Sequence, residues 1–179
     1  MITKNFKTLI SYILQAAQSN SPGLTELNDL TGGSRYLSHR ISSFPLSVNN
    51  GVVFTGGNTS SGISVGSGST PATENDYKLE NIITSGLSAS STTETRALDN
   101  DGNPYLYYTF ILTNNSASNI TIAEIGYAQI LTTTSAYNTT TGIATQRAFL
   151  LDRTVLDNPI TILPNGSAAI RYELKTLIS

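Results

Sequence analysis

Tyr105–Leu106–Tyr107–Tyr108–Thr109–Phe110–Ile111–Leu112–Thr113 is the stretch that decides the fold. Read with a period of two, it puts Leu106, Tyr108, Phe110 and Leu112 on one face. Tyr105, Tyr107, Thr109, Ile111 and Thr113 fall on the other, the alternation of a half-buried β-strand. Its aromatic and β-branched content suits a pleated surface. The last strand repeats the pattern, with Ala168, Ile170, Tyr172 and Leu174 inward and Ala169, Arg171, Glu173 and Lys175 outward.

Between these two lies Ile120–Leu131, a second long strand. Its alternation slips near Ala123–Glu124–Ile125–Gly126, which predicts a bulge with Gly126 as the permissive residue. Phe149–Leu156 and Ile160–Leu163 follow as strands, and Pro164–Asn165–Gly166 reads as a hairpin turn. Val52–Phe54 and Ile63–Val65 are short strands set among Gly- and Ser-rich loops. The Ser- and Thr-rich stretches 84–95 and 132–141 suit outward edge strands and long loops equally. Seven or eight strands at this spacing predict a mainly β chain, an antiparallel β-sandwich of jelly-roll or Ig-like type over residues 23–179. Its expected core is Leu106, Tyr108, Phe110, Leu112, Ile122, Ile125, Leu151, Val155, Ile162, Ile170, Tyr172 and Leu174.

One amphipathic helix precedes the sandwich. Phe6, Leu9, Ile10, Ile13, Leu14 and Ala17 fall at i, i+3, i+4, i+7, i+8 and i+11 and form one apolar stripe. Thr3 or Asn5 can cap its start, and the breaker-rich run Ser19–Gly23 ends it. With that joint at 1–22, the helix is expected to stand away from the sandwich and offer its stripe to a partner or a second copy. A further helical turn is predicted over Thr73–Leu79, where Thr73 and Asp76 have capping spacing.

Composition narrows the function classes. Charged residues are 12% of the chain, and Ser, Thr and Asn supply 63 of 179 residues, so the surface is hydroxyl and amide rather than charge. Ten basic residues spread along the chain provide no stripe to neutralise phosphates, which argues against nucleic acid as the main partner. With no cysteine there is no disulfide framework and no thiolate metal site. Lys7 and Gln15 interrupt the apolar run of residues 4–17, so it is not read as a signal peptide. No segment has transmembrane length. The expectation is a soluble protein made in a cytoplasm, with no membrane partner.

Chemistry finds little to use. His39 is the one histidine, and Arg35 and Arg40 beside it disfavour the imidazolium that a general base must form. Asp99–Asn100–Asp101–Gly102–Asn103 alternates oxygen ligands as calcium loops do, yet it departs from the EF-hand pattern and reads as a hairpin turn. Asp152 and Glu173 lie beside basic residues and read as surface charge or ion pairs. Glu124, inside Ile-Ala-Glu-Ile-Gly, reads as a structural acid bridged to Arg153 or Arg96. No catalytic set and no cofactor is implied.

Three segments together carry a resemblance. They are Val65–Thr73 leading to Asp76–Glu80; Phe110–Asn114 followed by Ile120–Gly126; and Leu150–Leu156, then Pro159–Ile162 and Asn165–Ser167. In order and spacing they resemble a family of small structural proteins encoded in tailed bacteriophages and prophages, over roughly residues 50–179. The resemblance implies a virion part made in the host cytoplasm. Such a part decorates or connects head, neck or tail through contacts with capsid, portal or tail proteins and with copies of itself. The competing expectation is a carbohydrate-binding or adhesin module at a fibre or spike, built on Tyr105, Tyr107 and Asp99–Asn103.

Overall fold

The structure, a computed structural model, describes residues 1–18, 26–37, 52–54, 61–98, 102, 104–134 and 144–175. Among the described residues one helix, α1 (Lys4–Gln18), precedes nine strands: β1 (Glu26–Asn28), β2 (Ser34–Leu37), β3 (Gly62–Gly66), β4 (Leu87–Ala89), β5 (Thr93–Leu98), β6 (Pro104–Asn114), β7 (Ile120–Thr134), β8 (Ala144–Ile162) and β9 (Ser167–Lys175). They form two antiparallel sheets. In the first, β1-β2-β7-β3 are neighbours in that order and β8 pairs along β7. In the second, β4, β5 and β9 all pair with β6. The chain is mainly β, as its period-two patterning predicts.

The four longest strands form one nested ribbon. β7 and β8 pair as the inner hairpin in the first sheet, while β6 and β9 pair outside them in the second. An Ig domain instead pairs strands B with E and C with F, which interlock in chain order. The nested winding here departs from that order. Apolar side chains of both sheets meet between them: Tyr108, Phe110, Leu112, Ile170 and Tyr172 from one, Ile122, Ile125, Leu151 and Ile162 from the other. Leu106 and Leu174 pack at the margin of this core. Val155, expected inside, is half-buried and lies outside it.

Five expectations differ from the structure. The strand irregularities fall between Ile122 and Glu124 and between Tyr127 and Ala128, and in both places β8 rather than β7 carries the surplus residues. The alternation of β7 slips for another reason: its second face is covered too, so Ile122 through Gln129 are all buried. Pro164–Asn165–Gly166 is no hairpin, because it joins β8 in one sheet to β9 in the other. Asn165 takes a left-handed φ of 60° there, and its N–H donates to Asn114 O at 2.9 Å. Thr73–Leu79 is a turn without a helix: Asp76 N–H donates to Thr73 O, and the Asp76 carboxylate accepts the Thr73 N–H and hydroxyl. Of Val52–Phe54, Val52 alone bridges to Ile63, and the segment forms no strand. The stretch 84–95 holds β4 and the start of β5 at the edge of their sheet, and residues 132–134 continue β7. Residues 135–141 and the joint Ser19–Gly23 lie outside the described residues.

The fifth difference lies in the helix. Its first turns belong to the sandwich. The Thr3 hydroxyl donates to the carbonyls of Leu150 and Leu151 at 2.8 and 3.1 Å, and Thr3 N–H donates to Leu151 O at 3.0 Å. The Asn5 carboxamide bonds both backbone groups of Asn28, at 2.7 and 3.0 Å, as a neighbouring strand would. Leu9 is 1% exposed inside the core cluster and Phe6 packs against it, which leaves Ile10 exposed at 39%. An isolated helix of this length is marginal in water, and here the sandwich itself supplies the cover. The expectation of a helix standing free is therefore corrected for its first half: Leu9 is core, and Phe6, half-buried, packs against it. Nothing is described of the Ile13, Leu14 and Ala17 side chains.

Leu9→Ala is accordingly expected to cost about 2–5 kcal/mol, the range of a core cavity. Urea denaturation should show a lower midpoint with an unchanged slope. An unchanged midpoint would place Leu9 outside the core.

Candidate functional site

Among the described residues a cluster of charged side chains lies on the face of the β7–β8 pair turned away from the core. Glu124 is fully buried, with its Oε2 2.8 Å from Arg153 Nε. The same oxygen accepts the Glu80 N–H at 3.1 Å, while Oε1 accepts those of Asn81 and Gly68 at 2.8 and 3.2 Å. Arg153, 3% exposed, extends its other nitrogens to Asp76 Oδ2 at 2.7 Å, Thr70 O at 3.2 Å and Glu80 Oε2 at 3.5 Å. Glu80 closes the set by accepting the Thr70 N–H and hydroxyl at 2.9 and 2.8 Å.

Every partner except Glu124 and Arg153 lies on residues 67–81, which cross this face as a strap. Two glycines let it approach. A Cβ at Gly68 would lie 2.6 Å from Glu124 Oε1, and one at Gly66 would overlap the same oxygen. Gly126, two residues along β7 from Glu124, leaves room for Leu79: a Cβ there would lie 2.7 Å from Leu79 Cδ2. Gly66–Ser67–Gly68–Ser69 is thus a fitted cradle, where its composition alone suggests a flexible turn. The strap also reaches α1, with Lys4 N–H donating to Glu74 O and Lys7 Nζ 2.7 Å from Glu74 Oε2.

Burial opposes ionisation of Asp76, but hydrogen bonds from Arg153 and Thr73 outweigh it and hold the carboxyl below its ordinary range. Bonds from the Thr70 amide and hydroxyl do the same for Glu80. For Arg153 burial again opposes the charge, and Asp76 and Glu124 restore it, so its pKa is raised. Asp152 is 5% exposed, so of its two expected readings the ion pair holds: its carboxylate lies 3.2 Å from the Met1 ammonium and accepts a hydrogen bond from the buried Tyr172 hydroxyl. Burial and then that carboxylate push Tyr172 well above the usual tyrosine range.

A second candidate is the outer face of the β4/β5/β6/β9 sheet. Tyr105 and Tyr107 stack there with ring centroids 5.8 Å apart. Arg171 lies 4.0 Å over the Tyr107 ring, donates to the Tyr105 hydroxyl at 3.2 Å and pairs with Glu173 at 2.9 Å. The other half of the expected sugar site, Asp99–Asp101 with Asn103, lies outside the described residues, as do His39 and Arg40. Among the described residues no three of His, Cys, Asp and Glu are grouped to hold a metal, and no helix is long and apolar enough to cross a membrane.

The sequence singles out Glu124 and names Arg153 as one of two partners, and the structure brings these two together. Arg96 pairs with Glu94 instead. Asp76, Glu80 and the two cradling glycines were not anticipated. The signal for them is a Gly-x-Gly on the strand beside a lone acid in an apolar run. No family model, no curated protein and no solved structure matches the chain.

Removing one partner from a buried ion pair costs about 3–5 kcal/mol, so Arg153→Ala should lose that much in chemical denaturation. A loss below about 1 kcal/mol, as for exposed pairs, would deny the network its role. Acid should act on the same set. The Asp76 and Glu80 pKa values are depressed in the fold, so the stability they add is complete above their ordinary values. It is lost as pH falls through the lower folded ones. Unfolding measured across pH should be level above about pH 5 and decline below about pH 4, less steeply in Asp76→Asn.

Proposed function

We propose that this chain is a non-enzymatic structural protein of a tailed-phage virion, decorating or connecting the head, neck or tail through protein–protein contacts. The observation that carries the reading is spatial. A part of each segment that carries the resemblance, Val65–Thr73 with Asp76–Glu80, Ile120–Gly126 and Leu150–Leu156, meets the others around Glu124 and Arg153. The resemblance thus includes the stretches that build this fold's internal clasp. The acids of that clasp accept hydrogen bonds from the strap and from Arg153, which suits a framework more than a reaction.

The partners on this reading are capsid, portal or tail proteins and further copies of the chain, within a particle assembled in the host cytoplasm. The second reading, a carbohydrate-binding module, draws on the Tyr105–Tyr107 pair. It is weakened by Arg171, whose guanidinium already lies on the ring that a sugar would need.

Mass spectrometry of purified particles, followed by labelling of this chain for imaging, tests the proposal. The chain should appear in stoichiometric amount at one fixed position. Its absence from intact particles would overturn the proposal, and glycan-array binding lost in Tyr105→Ala would favour the second reading.

A further inference from the structure

β5, Thr93-Glu94-Thr95-Arg96-Ala97-Leu98, forms the edge of its sheet, and among the described residues β6 is its one paired strand. An edge strand presents unpaired backbone donors and acceptors, and proteins blunt such edges with charged side chains (Lys above all), Pro, bulges or a covering element. β5 has no Lys, no Pro and an unbroken six-residue register with β6. Leu98 at its end is 68% exposed and the Arg96 side chain 82%.

We infer that β5 is a self-recognition edge, which pairs antiparallel with β5 of a second copy about a two-fold axis through Thr95. Charge complementarity selects both the partner and the register. Centred on Thr95, the pairing sets Glu94 opposite Arg96 of the other copy and Arg96 opposite its Glu94, while Thr93 faces Ala97. Opposite charges directly across a strand pair attract, and like charges there repel. Centring on Glu94 sets carboxylate against carboxylate, and centring on Arg96 sets guanidinium against guanidinium. Only the middle register satisfies both charges. It also meets the rule of an isologous contact, in which residue i touches j and j touches i. Within one chain Glu94 and Arg96 already lie 3.2 Å apart, so pairing adds a partner to each without stranding either. The inference stands on the strand alone and holds whether or not the chain is a virion part.

Sedimentation of the full chain over a wide concentration range is expected to show a monomer–dimer equilibrium that weakens with salt. Arg96→Glu and Glu94→Arg each turn both cross-strand pairs repulsive, and each should raise the dimer dissociation constant by about tenfold or more. An equal mixture of the two variants should restore association, since each then meets its opposite charge. The chain has no cysteine, so Thr95→Cys should give a disulfide-linked dimer on oxidation, while Ala97→Cys should not. Circular dichroism of each variant shows that it is folded. A chain that stays monomeric throughout would overturn the inference. So would single variants that associate like the parent, or Thr95→Cys and Ala97→Cys that cross-link alike.

Discussion

The fold depends on one buried charge pair, Arg153 with Glu124. Placing two ions out of water costs several kcal/mol each unless each finds a full set of partners. Here the partners are recruited from a segment with little else to order it. Residues 67–81 hold neither helix nor strand, yet they donate three backbone N–H groups to Glu124 and two acceptors to Arg153 through Thr70 and Asp76. The strap thus stays where it is because leaving would abandon two buried charges. In staying, it seats Leu79 on Gly126 and brings Glu74 to α1.

That arrangement explains how so weakly charged a chain holds its elements together. Where side-chain charge is scarce, amides and hydroxyls join elements through the backbone. Asn5 imitates a strand beside Asn28, and Thr3 binds two carbonyls of β8. Asn114 donates to Ile162 O at 2.9 Å and to Ser118 O at 2.8 Å, anchoring the crossover from β8 to β9. Each such bond contributes about 1 kcal/mol, but a buried donor or acceptor left without one costs more, so the set is tightly constrained.

The legible parts of the fold are those with one dry face and one wet face. β6 and β9 alternate cleanly because their outer sides meet solvent, and their inward residues are core as expected. β7 and β8 are covered on both sides, which erases the alternation, and the irregularity that does fall at Ala123 has its surplus residues on β8, where the β7 pattern cannot show them. Glu124 stood out because an acid in an apolar run must have a partner. Its further partners lie 43 to 56 residues away, beyond any local pattern. The helix shows the same limit in reverse. An apolar stripe announces that something covers it, but the spacing of Phe6, Leu9 and Ile10 is the same whether the cover is a partner or the chain's own β8. What decided between them, the bonds of Thr3 and Asn5 to β8 and β1, looked in sequence like helix caps.

A well-packed apolar pair of similar size would often match or exceed a buried ion pair in stability, so stability alone does not explain Arg153 and Glu124. Register does. Glu124 lies opposite Val155 and Arg153 opposite Gly126, a diagonal contact just beyond the place where β8 carries surplus residues. At such a point the strands have lost their even count, and neighbouring pairings differ little in backbone bonding. Sliding either strand by one residue turns its whole side-chain set to the opposite face. For β7 that would carry Glu124 towards Tyr127 and Ile125 in the core, and for β8 it would carry Arg153 there. An apolar pair would tolerate the slip. A charged pair does not, and the strap's amides are in place for only one of the registers.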